Sequence, residues 1–119
     1  MRDFRELRVW AKAHEVALAT YKATASFPQR EVYGLASQMW NASVSIPANI
    51  AEGTGRGTDA EMARYLQIAM GSAAELDYYL LLARDLGYLP KTAYNTPHVE
   101  VNDVRRMLTG FIQKLRAAG

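Results

Sequence analysis

Few side chains in this sequence of 119 residues have the types and spacing that catalysis or metal binding requires. The two histidines, His14 and His98, do not belong to Glu-x-x-His pairs, because Ala11 and Asn95 stand where the glutamate would be. A di-iron site in a helical bundle takes its ligands from such pairs. The absence of cysteine also excludes disulfides, thiolate zinc sites and a cysteine nucleophile. We therefore expect no metal, no cofactor and no enzymatic activity.

The densest group of polar side chains is a ribbon in the second predicted helix, followed by a glycine-rich hinge. The ribbon consists of Gln38, Ser45, Asn49 and Glu52, and the hinge reads Gly53-Thr54-Gly55-Arg56-Gly57-Thr58. The ribbon is open to two interpretations, a ligand site or a buried network that fixes helix register. The hinge is likewise either an anion site built on Arg56 or a turn that ends in the cap Thr58. We favour the structural interpretation of both.

Basic residues are concentrated in the first and last segments, although the net charge is only +2. Residues 1–25 hold five basic and three acidic residues, and residues 97–119 hold four basic and two acidic residues. Basic side chains on adjacent helices can neutralise phosphates. The candidate nucleic-acid contacts are Arg2, Arg5, Arg8, Lys12, Arg105, Arg106, Lys114 and Arg116. No zinc-finger or RNA-binding strand motif accompanies them, so the signal is nonspecific.

Four helices must position these groups, because apolar residues recur in steps of three and four along most of the chain. The periodicity predicts helices near residues 3–25, 29–53, 58–87 and 97–117. The seam of the first is Phe4, Leu7, Ala11, His14, Leu18 and Tyr21, and that of the third is Met62, Tyr65, Ala69, Ser72, Leu76, Tyr79, Ala83 and Leu86. Pro47 should bend the second helix, and Pro97 should open the fourth. Short connections favour an all-α, antiparallel up-and-down four-helix bundle in one domain, residues 1–119.

A second apolar stripe lies off the predicted core face of three helices, at about 100° per residue. Its members are Val9, Val16, Trp40, Val44, Met70, Ala74, Tyr78 and Leu81. A helix that is apolar almost all round is usually buried on both sides, so the stripe predicts contact with further copies of the chain. Scattered surface hydrophobic residues are the alternative.

The start of the chain is charged every few residues, and no apolar run approaches the roughly 18 residues that span a bilayer. These features predict a cytoplasmic protein without a membrane partner.

One continuous segment and several short motifs together carry a family resemblance. They are Phe27-Pro28, Tyr33-Gly34-Leu35, Ser45-Ile46-Pro47-Ala48-Asn49-Ile50-Ala51-Glu52-Gly53 with Arg56, Gly71-Ser72 and Leu86-Gly87-Tyr88-Leu89. Over essentially the whole chain, the sequence resembles the four-helix-bundle family of the 23S rRNA intervening sequences. The resemblance implies a small bacterial bundle without enzymatic activity. Related accessory proteins of diversity-generating retroelements form five-membered rings with a basic surface, which implies a pentamer that binds nucleic acid or a reverse transcriptase.

The sequence therefore predicts a non-enzymatic, pentameric helical scaffold whose partners are itself and RNA or DNA. Many family members carry two arginines before the Ser-Ile-Pro motif, where this chain has Trp40-Asn41. This difference removes positive charge and adds an aromatic side chain suited to protein contact. The alternative is accordingly an adaptor that binds another protein and has no affinity for nucleic acid.

Overall fold

The computed structural model describes residues 3–118, which form four α-helices joined by short connections. The helices are α1, Arg8–Thr24; α2, Leu35–Thr54; α3, Asp59–Asp85; and α4, Lys91–Ala118. Single 3₁₀ turns, Phe4–Glu6 and Gln29–Glu31, precede α1 and α2. Each helix packs against the next in the chain, and α1 also packs against α4, in a body of 46 × 22 × 20 Å. The predicted all-α, up-and-down four-helix bundle is confirmed.

The buried face of α1 is made of small and β-branched residues, and the predicted seam of this helix is wrong. The buried residues are Val9, Ala13, Val16, Ala17, Thr20 and Thr24. The seam residues Leu18 and Tyr21 are instead 52% and 48% exposed. The predicted seam and the observed buried residues both recur at helical spacing. The set with the smaller side chains lies inside because it lets α1 approach its neighbours closely. Val9 and Val16, assigned above to a subunit interface, are core residues and cannot contact another copy.

The core face of α3 is partly as predicted. Met62, Ala69, Leu76 and Ala83 are buried, as expected. The remaining buried positions are Ala63, Leu66, Ala73 and Leu80, whereas the predicted Tyr65, Ser72, Tyr79 and Leu86 are half-buried or exposed. Relative to the prediction, α3 is therefore rotated so that the hydroxyl-bearing Tyr65, Ser72 and Tyr79 lie beside the core and not within it.

The fourth helix begins six residues earlier than the sequence predicts. The Pro90 carbonyl accepts hydrogen bonds from the amides of Ala93 and Tyr94, both at 2.9 Å, so this proline immediately precedes the helix. Pro97 lies inside α4 and lacks the amide that would bond the Ala93 carbonyl. The rings of Pro97 and Tyr94 are buried, and this burial offsets the missing hydrogen bond.

The third helix ends at a glycine cap. Gly87 has a φ of 80°, a left-handed conformation that favours glycine. Its amide donates to the Arg84 carbonyl, and the Tyr88 amide donates to the Ala83 carbonyl, both at 3.0 Å. This pair of hydrogen bonds is the Schellman arrangement, which satisfies the last carbonyls of the helix.

The two connections at this end of the bundle are joined by Glu31. Its Oε1 accepts a hydrogen bond from the Leu35 amide at the start of α2 (3.1 Å), and its Oε2 accepts one from the Tyr88 hydroxyl (2.8 Å). These hydrogen bonds to the Leu35 amide and the Tyr88 hydroxyl hold the pKa of Glu31 below its ordinary value of 4.5. The ionised carboxylate therefore ties the α1–α2 connection to the α3–α4 connection.

The lowered pKa of Glu31 predicts a specific loss of stability in acid. Because the folded pKa lies below the unfolded one, the stabilisation is fully present above the unfolded value and is lost as pH falls through the folded value. Between about pH 5 and pH 3, the melting temperature of the wild type should fall more steeply than that of Glu31→Gln. Glu15→Gln removes an exposed carboxylate from α1 and serves as the control. Identical pH profiles for the wild type and Glu31→Gln would contradict the role given to Glu31.

Candidate interaction surfaces

The polar ribbon of α2 faces α3 and is engaged by it. The Tyr79 hydroxyl donates to Gln38 Oε1 (3.4 Å), and the Ser72 hydroxyl donates to the Ser45 hydroxyl (2.8 Å). Asn49 Nδ2 donates to both the carbonyl and the hydroxyl of Ser45, at 2.8 and 3.0 Å. Partial burial raises the pKa of Tyr79, so its hydroxyl stays protonated and can donate. Ser45 is the centre of this network.

Pro47 lies buried inside α2 and removes the amide that would bond the Ser43 carbonyl. Side chains on both sides of the proline bond to the backbone of the preceding turn. The Ser43 hydroxyl donates to the Trp40 carbonyl at 3.0 Å, and Asn49 donates to the Ser45 carbonyl. Ser43 and Asn49 thus add side-chain hydrogen bonds to the backbone around the proline.

A third contact between α2 and α3 lies beside the hinge. Glu52 Oε2 is 2.9 Å from Arg56 Nη2, which donates to the Tyr65 hydroxyl at 2.6 Å. The guanidinium carbons of Arg56 and Arg64 lie 4.6 and 4.7 Å from the centre of the Tyr65 ring. Cation–π attraction and the ion pair hold Arg56 in place. The hinge arginine is therefore engaged in a structural contact, in line with the interpretation favoured above.

Gly53 allows α2 and α3 to approach closely next to this contact. A Cβ atom at this position would lie 3.1 Å from Tyr65 Cβ and 3.3 Å from the Met62 carbonyl oxygen. The backbone carbonyl cannot yield without moving α3. The glycine and the polar ribbon together form one contact line, which we call the α2–α3 ladder: Gln38, Ser45, Asn49, Glu52, Gly53 and Arg56 on α2 and the hinge, and Tyr65, Ser72 and Tyr79 on α3.

Substitution of Gly53 tests this close approach. Gly53→Ala should lower the free energy of unfolding by about 1–3 kcal/mol, because the new methyl group forces the helices apart. Gly71→Ala is the matched control, since an added Cβ on that α3 glycine meets no atom within 4 Å. It should raise stability by up to about 1 kcal/mol through helix propensity. Urea denaturation measures both, and a Gly53→Ala protein as stable as the wild type would contradict the proposed contact.

A second feature is an aromatic surface along α1 and α2, in which Trp10 and Trp40 are half-buried against the core and the other members are exposed. We call it the α1–α2 aromatic surface: Trp10, His14, Leu18, Tyr21, Trp40 and Val44. His14 stacks on Trp10 with ring centres 5.0 Å apart, and Tyr21 stacks on Trp40 at 5.6 Å. The indole of Trp40 also donates to the Thr24 hydroxyl at 2.8 Å, which fixes its orientation.

The aromatic surface continues over an uncharged face of α2. Val44 is 44% exposed, and because α1 and α2 are antiparallel, it lies at the level of Leu18. No charged residue occurs from Val32 to Ala51, although several α2 side chains in this range face solvent. Depletion of charge together with aromatic side chains is typical of the centre of a protein interface.

The stripe predicted on α3 is only partly exposed. Tyr78 is 57% exposed and Ala74 faces solvent, but Met70 and Leu81 are half-buried against the core of their own chain. Met70 also accepts a hydrogen bond from Thr109 of α4, at 3.9 Å from its sulfur. The prediction that Met70 and Leu81 point outward is therefore wrong, because α4 covers this flank of α3.

Four of the seven predicted nucleic-acid contacts that the structure describes are engaged in ion pairs, and Arg2 lies outside the described residues. The pairs are Arg5–Asp3 (2.9 Å), Lys12–Asp103 (3.8 Å), Arg105–Asp77 (3.8 Å) and Arg106–Asp103. Within residues 3–118, Arg8, Lys114 and Arg116 have no carboxylate at ion-pair distance. These three lie near the end of the bundle where α1 begins and α4 finishes.

A polar cluster between α3 and α4 was not predicted. His98 Nδ1 lies 2.7 Å from Asp77 Oδ1, Asn102 donates to Asp77 Oδ2 at 3.1 Å, and the His98 ring stacks on Tyr94. The four-residue spacing between His98 and Asn102 is the only sequence signal for the cluster. Among residues 3–118, no hydroxyl lies within hydrogen-bond distance of His98, and no three acidic or histidine side chains group as metal ligands. The cluster holds α3 against α4.

None of the helices formed by residues 3–118 combines the length and apolar character needed to cross a membrane.

Comparisons with known proteins agree with this architecture. Residues 5–110 match the family model described as 23S rRNA-intervening sequence protein. Among curated proteins, no relative matches the chain. The fold is similar to the crystal structure of a protein with unknown function from the S23 ribosomal protein family of Bacteroides thetaiotaomicron, with a TM-score of 0.79 and 24% identity. The match covers 87% of this chain and 97% of that one, and it shows a shared fold.

Proposed function

This chain belongs to the 23S rRNA-intervening sequence protein family, and we propose that it is a non-enzymatic scaffold that self-associates through the α1–α2 aromatic surface. The observation that carries this proposal is the uncharged outer face of α2, flanked by stacked aromatic rings. Water is a poor environment for such a surface, and tryptophan and tyrosine contribute most to protein interfaces.

The arrangement of exposed residues supports a ring in particular. A second candidate contact area lies on α3, where Ile68 and Tyr78 are 42% and 57% exposed and the exposed Gly71, Ala74 and Glu75 lie between them. This area is on a different side of the bundle from the α1–α2 aromatic surface, because α3 packs against α2 and α4 and not against α1. Contacts between two different surfaces of identical chains form rings when the rotation from one subunit to the next closes, and filaments when it does not. The resemblance to ring-forming relatives gives five as the number of subunits.

The self-association proposal predicts the effect of charge at the exposed apolar positions of the surface. Leu18→Glu together with Val44→Glu should convert the assembly to monomers at tens of micromolar, because both carboxylates would be desolvated in the contact. Val99→Glu places the same charge at a position of α4 that is 55% exposed and should leave the assembly intact. Light scattering coupled to size exclusion reads the mass. A monomeric wild-type protein would refute the proposal, and circular dichroism checks that each variant is folded.

We also propose that the assembled scaffold binds RNA or DNA. Support comes from Arg8 and Lys114, which are exposed and have no carboxylate partner within residues 3–118. A ring repeats these cations in every subunit, so weak individual contacts would add up. We place the protein in the cytoplasm as part of this proposal.

Binding to nucleic acid should depend strongly on salt. Arg8→Gln with Lys114→Gln should weaken binding and reduce the slope of log affinity against log salt by about two per subunit engaged. Lys22→Gln with Lys91→Gln removes the same charge at the other end of the bundle and is the matched control. Fluorescence anisotropy with labelled RNA and DNA measures the affinity. If the wild type does not bind at low salt, nucleic-acid binding is refuted.

The second candidate function is an adaptor that binds another protein and not nucleic acid. It is favoured by the ion pairs that engage Lys12, Arg105 and Arg106 and by the missing charge on α2. Absence of nucleic-acid binding by an intact ring, together with a protein partner that remains bound after nuclease treatment, would select this function.

A further inference from the structure

A cavity at one end of the bundle belongs neither to the α2–α3 ladder nor to the α1–α2 aromatic surface. It has a volume of about 360 Å³ and lies between the first turns of α3 and the last turns of α4. Its lining consists of Ala60, Ala63, Arg64, Gln67, Leu115 and Arg116. We call it the α3–α4 end cavity.

The floor of the end cavity is apolar. Ala63 and Leu115 are 3% and 6% exposed and belong to the core, and Ala60 forms the outer edge. Alanine on the α3 side leaves the space that a larger side chain would fill. Ala60 and Gln67 are seven residues apart, so the cavity extends about 10 Å along α3. This length suits a short extended apolar chain.

The rim of the end cavity carries positive charge. Arg116 has no carboxylate at ion-pair distance within residues 3–118. Arg64, which lies 3.5 Å from Glu61 and whose guanidinium also stacks on the Tyr65 ring at 4.7 Å, adds a second, partly engaged positive charge. Gln67 adds an amide that can donate a hydrogen bond. Two guanidinium groups and an amide donor thus surround an apolar floor.

We propose that the α3–α4 end cavity binds a carboxylate that carries an apolar group. Arginine binds carboxylates through two parallel hydrogen bonds, which gives the charged end a defined position. An inorganic anion would leave the apolar floor unused, and a neutral apolar molecule would desolvate Arg116 without compensation. The ligand is either a small free acid or the carboxyl-terminal residue of a peptide, since both present the same chemistry.

Three simple probes test this chemistry. Octanoate has both the carboxylate and the apolar chain, octanol lacks the charge, and sulfate lacks the chain. Isothermal titration calorimetry should show octanoate binding at least about tenfold more tightly than either of the others. Equal binding of sulfate and octanoate, or no octanoate binding at all, would overturn the proposal.

Variants place the binding in this cavity. Arg116→Gln should weaken octanoate binding by about tenfold through loss of a charged hydrogen-bond pair. Ala60→Leu closes the mouth from an exposed position, so the fold should be retained while binding is lost. Lys91→Gln removes a charge from the other end of α4 and should leave the affinity unchanged. Unaltered octanoate affinity in both Arg116→Gln and Ala60→Leu would overturn the assignment to this cavity.

Competition with peptides distinguishes a small free acid from a peptide terminus as the source of the carboxylate. N-acetyl-Ala-Ala-Leu with a free carboxylate should compete with octanoate if the ligand is a peptide terminus, and the amidated peptide should not. Octanoate binding without competition assigns a small free acid. Repeating the titration with Leu18→Glu and Val44→Glu separates this inference from self-association, because a monomer should still bind octanoate.

Discussion

The contact between α2 and α3 sets the geometry on which the other surfaces depend. Gly53 brings the two backbones together at one end, and polar contacts follow along the helices: Arg56, which is paired with Glu52, bonds Tyr65, then Ser45 bonds Ser72, and Gln38 bonds Tyr79. A slip of one turn would separate all the pairs together and drive a side chain into the space at Gly53. The cost of separating the half-buried hydroxyls of Ser45 and Ser72, together with the tight space at Gly53, therefore selects a single register.

That register decides which α2 side chains remain outside the bundle. With its polar ribbon turned towards α3, α2 turns Trp40 towards α1, where it stacks on Tyr21 and bonds Thr24. The small residues on the buried face of α1 also contribute to this surface, because they leave Leu18 and Tyr21 on the outside of the bundle. An exposed aromatic surface thus results from the same packing that makes the core tight, and self-association offers a way to remove it from water.

The basic side chains of the bundle fall into two groups: those held in ion pairs, and those with no carboxylate partner among the described residues. Asp77 and Asp103 each attract basic side chains: Arg105 pairs with Asp77 of α3, and Arg106 pairs with Asp103 within α4. Cations without a carboxylate partner within the described residues occur at both ends: Arg8, Lys114 and Arg116 lie where α1 begins and α4 finishes, and Lys22 and Lys91 lie at the opposite end. Exposed ion pairs add little stability, but they do reduce the charge available to a partner.

The sequence by itself determined the four helices, their antiparallel order, the glycine cap of α3 and the family motif, because periodicity, caps and connection lengths are local properties of the chain. The side of α1 that is buried was decided only by the tertiary structure, since two stripes share the same helical spacing and neighbouring helices select the smaller side chains. The early start of α4 depended on burial of Pro97, and the His98–Asp77 contact joins residues on different helices. The ion pairs of the basic residues likewise required the packed bundle. The rotation of a helix about its own axis depends on the volumes and charges of the helices packed against it. The sequence of that helix alone does not contain this information.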